Sequence, residues 1–265
     1  MKAAIISTLS IILVVVLVIG NINWKLQEES PLTKIKSSDS SEVSVPVSDS
    51  KSDSYFSLDY YTSYATSWPN SAKKVLEKKL SDKKTFHILM LGSESIGDKK
   101  LGLVTPLKEA LEKKYDQYVT IDSIAYDGTS SDYVNDQAYS TLVDKKPDMI
   151  IMEPFLLNDN NVIDISTTLM NLREIISETK DQLPDVTFVL QPAQQIYDAS
   201  LYPMQVSDLQ KFAEAEKITY WNHWEAWPDG KDKEVLDYLV KDSSDPNEKG
   251  YDVWSKYLAN KLIAN

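Results

Sequence analysis

The chain has 265 residues, no cysteine, and 40 acidic against 28 basic side chains, for a formal net charge of -12. That balance excludes a nucleic-acid binder, which needs a basic face to displace counterions from phosphates, and it makes acidic polymers poor partners. The missing cysteine excludes a disulfide scaffold and a thiol nucleophile, and it is compatible with an exported bacterial protein.

Residues Ala3 to Gly20 form an uncharged, mostly apolar run behind Lys2. Its length is close to the ~20 residues that a helix needs to cross a bilayer. The stretch Gly20-Asn21-Ile22-Asn23-Trp24-Lys25 lacks a small-x-small cleavage site, so residues 1–25 are expected to form a retained anchor rather than a cleaved signal. Lys2 and the terminal amine would stay cytoplasmic, which places the rest of the chain outside, although Lys25, Lys34 and Lys36 weigh against that orientation. Residues 26–54 are dominated by Ser, Asp, Lys, Glu and Val without periodicity, and they read as a linker that cannot bury enough apolar surface to offset ordering. Residues 55–265 are long enough for one domain with a full core.

Within that domain, Pro69 to Leu80 reads as a helix, and Thr85 to Leu91 as a buried strand followed by a glycine-containing loop. A helix near Pro106 to Tyr115, a strand from Tyr118 to Ile124 and a helix from Ser131 to Val143 come next. They precede a strand from Met149 to Glu153 and a helix from Ile163 to Thr179. A strand over Val186 to Gln191, a helix over Val206 to Glu216, a short strand over Ile218 to Trp221 and a closing helix over Asn247 to Ile263 complete the order. This alternation implies right-handed crossovers and a parallel five-stranded sheet covered on both faces, a three-layer α/β/α sandwich. Ligands of such sheets bind beyond the carboxyl ends of the strands, so each loop after a strand is a place to look for chemistry.

Three such loops carry a pattern. Gly92-Ser93-Glu94-Ser95 ends the first strand, Leu157-Asn158-Asp159 follows the third, and Asp242-Ser243-Ser244-Asp245-Pro246-Asn247 precedes the last helix. With Asp127-Gly128-Thr129-Ser130-Ser131-Asp132 after the second strand, the region from Thr85 to the C-terminus resembles the SGNH/GDSL hydrolases, esterases and deacylases of flavodoxin-like fold. The resemblance implies a serine nucleophile on the first loop, Gly128 and Asn158 as oxyanion donors, and an Asp-x-x-His-Pro-Asn loop for the rest of the triad. Here Asp242 matches the Asp of that loop and Asp245 stands where the family has His. Gapless matching of the first loop also places Glu94 on the nucleophile position, whereas a shift of one residue either way presents Ser93 or Ser95. Ser93 is preferred because it sits nearer the strand end, and both serines could instead hold only the turn.

A hydroxyl nucleophile needs a base in hydrogen-bond reach, usually His. Of the two histidines, His87 lies inside the first strand, while His223, in Tyr220-Trp221-Asn222-His223-Trp224, follows the fifth and is the expected replacement base, oriented by Asp242 or Asp245. Otherwise His223 is an aromatic-packed loop histidine, and Asp245 with an ordinary pKa near ~3.9 is a weak base. Trp221, Trp224 and Trp227 read either as sugar-stacking faces or as packing. Seven glycines leave no phosphate-cradling or dinucleotide loop, so no nucleotide cofactor is expected. Asp159, Asn161 and Asp164 lack the glycine and terminal Glu of a calcium loop, so no metal is expected. The expectation is a membrane-anchored, outward-facing serine esterase or deacetylase, or acyltransferase, that takes a small ester or an acylated envelope or exopolysaccharide carbohydrate. The alternative is an inactive SGNH-like glycan-binding or scaffold domain.

Overall fold

A computed structural model describes residues 57–98 and 100–264. The anchor expected over residues 1–25 and the linker over 26–54 lie outside the described residues. Among the described residues no helix is long and apolar enough to cross a membrane.

The elements are α1 (Leu58–Tyr64), α2 (Asn70–Ser81), β1 (Phe86–Gly92), α3 (Val104–Tyr115), β2 (Val119–Ala125), α4 (Ser130–Asn135), α5 (Tyr139–Lys145) and β3 (Met149–Met152). They continue with α6 (Leu156–Asp159), α7 (Ile165–Gln182), β4 (Thr187–Leu190), α8 (Leu201–Ala215), β5 (Thr219–Tyr220) and α9 (Glu248–Leu262). The five strands form one sheet in the order β2-β1-β3-β4-β5, and every pairing is parallel. Right-handed crossovers therefore put α3, which leads from β1 outward to β2, on the face opposite α4, α5, α7 and α8. The contacts agree: α3 packs on α9, while α4, α5, α6 and α8 gather around α7. This is the expected three-layer sandwich.

The core is built on the near-continuous apolar strands that a doubly covered parallel sheet requires. Ile88 to Leu91, Met149 to Met152, Val189 and Leu190 are fully buried. At the end of α9, where carbonyl oxygens lack helical partners, Trp68 Nε1 and Tyr115 Oη both donate to Leu262 O, at 3.0 and 2.8 Å. His87 sits near the amino end of β1, its ring nitrogens each 3.2 Å from Lys145 O and Asp122 Oδ2.

Several boundaries depart from the periodicity. The helix expected over residues 131–143 is two helices, because Gln137 adopts φ +50° and ends the first. The helix expected from Val206 begins at Leu201, with Pro203 in its first turn, where a missing N–H costs nothing. Helix α1 was not foreseen. Its N-terminus is capped by Ser57, whose Oγ accepts from Tyr60 N, and it buries only Tyr61, so it leaves little apolar periodicity to read.

Candidate functional site

The sheet direction switches at β1 and β3, the strands whose outgoing connections diverge, and a crevice is expected beyond their carboxyl ends. Ser93 follows β1 there and Glu153 follows β3, with Glu153 N donating to Leu91 O at 2.8 Å. Gly92 permits this approach, since a Cβ on it would stand 2.7 Å from Ile96 and 3.1 Å from Glu153 Cβ. Ser93 is 1% exposed, and both its Oγ and its backbone N–H donate to Glu153 Oε2, at 2.7 and 2.8 Å. Ser95 N donates in turn to Ser93 Oγ at 3.3 Å, and Ser95 is itself buried. Glu94 is the side chain of this turn left at the surface. Ser93, the expected nucleophile, is thus buried rather than presented to solvent. Ser93 is drawn inward by two bonds to a carboxylate, while the Glu94 side chain is exposed.

Glu153 was read only as a strand end, and it is the central acceptor of the crevice. It is fully buried, and its pKa is raised by that burial, partly offset by the Ser93 hydroxyl and amide and by the Phe155 amide, with Asp159 adding to the rise. Its Oε1 has no partner among the described residues. The available signal was an acid placed directly after four buried apolar residues and before Pro154.

Gly128 and Asn158 do come together. Asn158 Nδ2 donates to Gly128 O at 2.9 Å, which commits one of its two amide hydrogens to the neighbouring loop. A Cβ on Gly128 would stand 2.6 Å from the Tyr126 ring, so the loop needs a glycine for packing as well. Asp159 explains the rest of the Asn-Asp pair: fully buried, it accepts Ser130 N, Ser130 Oγ and Thr168 Oγ at 2.8, 2.6 and 2.6 Å and ties α6 to α4 and α7. Thr129 and Asp132 form a reciprocal capping box that starts α4 beside it.

His223 does not stand as a base beside Ser93. It lies in the turn His223–Ala226, fully buried, with Nε2 2.9 Å from Pro192 O. A carbonyl can only accept, so Nε2 carries the proton, and Nδ1 is left without a partner among the described residues. The ring stacks on Trp254 at 4.1 Å and 12°. Burial pushes its pKa down to about 3, against a smaller upward pull from the carbonyl side. Trp224 Nε1 donates to Ala193 O at 2.7 Å and Trp254 Nε1 to Gln191 Oε1 at 3.0 Å, so indoles and imidazole together clamp the loop after β4. Trp221 and Trp227 are buried as well, which makes them packing rather than sugar-stacking faces.

Asp242 and Asp245 are exposed. Asp242 holds φ +61° at the tip of its loop, and Asp245 Oδ2 accepts from Ser243 Oγ at 2.7 Å. The loop is held at the carboxyl edge by Val240 N donating to Asp245 O at 2.8 Å and by Gln194 Nε2 donating to Ser244 O at 2.7 Å. Asn247 caps α9 through Gly250 N. Neither aspartate is bonded to His223, so no Ser-His-Asp relay is assembled. Among the described residues no group of three or more potential metal ligands converges. What the edge presents to solvent is carboxylate, Glu94 on one loop and Asp245 on another.

No protein-family model matches the chain, and no curated protein matches it. Solved structures do. A protein described as a GDSL-like lipase from Parabacteroides merdae is similar with TM-score 0.56 and 14% identity, over 68% of this chain and 97% of that one. The psychrotrophic esterase EstA from Pseudoalteromonas sp. gives 0.53 and 18%, over 66% and 96%. An acetylxylan esterase from Geobacillus stearothermophilus gives 0.50 and 15%, over 67% and 94%. At such identities the likeness is one of architecture, and with the parallel sheet and the loops above it identifies the α/β/α fold of this chain as that of the SGNH/GDSL hydrolases.

Proposed function

We propose that the chain is an SGNH-fold domain that binds acylated carbohydrate, outside the cell and held by its N-terminal segment, without serine-type hydrolysis. The observation that carries this reading is the sequestration of the would-be relay. His223 donates to Pro192 O under Trp254, and Ser93 is closed inside on Glu153. A hydroxyl with no solvent exposure to speak of and no histidine in bonding reach lacks both substrate access and a base matched to neutral pH. The acyl-carbohydrate class comes from the neighbours in fold, one of which is an acetylxylan esterase, and the location comes from the apolar run Ala3 to Gly20.

One observation favours a second reading, ester hydrolysis by a serine–carboxylate pair. Ser93 Oγ is 2.7 Å from a carboxylate whose pKa is raised, which makes Glu153 a stronger base than an ordinary acid. In that case Ser93 Oγ attacks the ester carbonyl as Glu153 takes its proton, and the free Asn158 hydrogen with Gly128 N–H meets the oxyanion. The full chain incubated with p-nitrophenyl acetate and with a fluorophosphonate probe separates the two. The binding reading expects no turnover above a Ser93→Ala variant and no labelled serine, and labelling at Ser93 would overturn it in favour of the second.

A further inference from the structure

Beside the carboxylate-bearing edge lies a cleft of about 950 Å³ between residues 100–106 and the first turns of α9. Its outer wall is held by backbone bonds. Gly97 and Gly102 form an antiparallel bridge, Asp98 N donates to Leu101 O at 3.0 Å, and Asp98 Oδ1 accepts from Lys100 N and Leu101 N at 2.7 and 2.9 Å. The turn cannot be made otherwise. Gly97 has φ +78°, and a Cβ on it would stand 2.4 Å from Leu101 O. In the first turn of α9, behind the opposite wall, a Cβ on Gly250 would stand 2.3 Å from Tyr238 O. Gly102 itself lines the cleft.

Tyr251 is 7% exposed and lines the cleft, and its hydroxyl has no hydrogen-bond partner among the described residues. Leu101, which is 42% exposed, and Pro106 add apolar surface, while Lys100, Glu248 and Lys249 alternate charge around the rim. Interspersed cations and anions favour neither a charged ligand of one sign nor an apolar chain. They suit a neutral polyol, whose hydroxyls donate and accept while its ring C–H face covers apolar side chains.

We infer that this cleft is the saccharide-binding site, taking a neutral pyranose oligomer that reaches the Tyr251 hydroxyl and lies against Leu101. The inference rests on the binding reading above and gives that reading a place on the molecule. Burial and the carboxylates of Asp245 and Asp98 push the Tyr251 phenol up to about 12, so it is a standing donor at any physiological pH.

The test is calorimetric titration of the full chain with acetylated xylo-oligosaccharides and with the same oligomers after chemical deacetylation. Tyr251→Phe removes a hydroxyl with no hydrogen-bond partner among the described residues, and Leu101→Ser alters an exposed tip, so both variants should keep the wild-type melting temperature. Each is expected to weaken binding about three- to tenfold, the worth of one hydrogen bond or one apolar contact. Unchanged affinity in both variants would move the site elsewhere and leave the binding reading standing. Failure of the wild-type chain to bind either oligomer would remove both.

Discussion

Replacing His223 by Gln tests whether the only histidine at the carboxyl edge is a sealed structural group. In the folded chain its pKa is about 3, against an ordinary 6.5, because burial disfavours the charged ring. The folded pKa is depressed, so the contribution of the neutral ring is fully present above pH 6.5 and is lost as the pH falls toward 3. Over that window the unfolded chain binds one proton more than the folded one. Well below pH 6.5 each unit is then worth about 1.4 kcal/mol, or roughly 2 kcal/mol between pH 6.5 and 4.5. Glu153 acts with the opposite sign: its raised pKa contributes stability at acid pH that is lost as the pH rises through the folded value. A single acid melt would mix the two, so the measurement is a difference. Urea unfolding of wild type and His223→Gln is followed at pH 7, 6, 5 and 4. Gln keeps an N–H for Pro192 O and titrates nowhere in this range, so the loss of the Trp254 stack appears only as a constant offset. The gap between the two stability curves should shrink by about 1.4 kcal/mol per unit well below pH 6.5. Parallel curves, or an imidazole that titrates near 6 to 7 by NMR, would refute the burial argument and return His223 to the list of bases.

Ser93→Ala should lower stability by about 1–3 kcal/mol in the same unfolding assay, since it strips a buried carboxylate of a donor while Oε1 is already unpaired. Glu94→Ser combined with Asp245→His should produce p-nitrophenyl acetate hydrolysis absent from either single variant, because both positions are exposed at the edge where Gly128 and Asn158 already meet. Gly97→Ala should cost about 1–3 kcal/mol by thermal melting, as a Cβ is forced into positive φ against Leu101 O. The same variant should weaken xylo-oligosaccharide binding if the turn forms the wall of the cleft.

Much of the architecture was legible because it is a local property. Strands such as Ile88 to Leu91 and Met149 to Met152 are unbroken apolar runs, and a doubly covered sheet demands that wherever it occurs. Their alternation with amphipathic helices dictated crossover hand and layer number. What pattern could not report was where a helix yields to backbone torsion, as at Gln137, or begins on a proline turn, as at Leu201. Short caps and torsions have no period.

The site divided along the same line. The four loops lie at the carboxyl edge, since loop position follows from strand order, and Asn158, expected with Gly128 as an oxyanion donor, is bonded to the Gly128 carbonyl. The direction in which a side chain turns is set by partners far away in sequence. Ser93 points inward because Glu153, sixty residues on, accepts both of its donors. His223 is held in the interior because Pro192 O and the Trp254 ring offer it a bond and a stacking face. Composition and periodicity alone thus determined a three-layer domain whose strand-end loops share one edge. Only the tertiary structure decided which of those residues meet solvent, because burial and hydrogen-bond pairing are properties of neighbours in space.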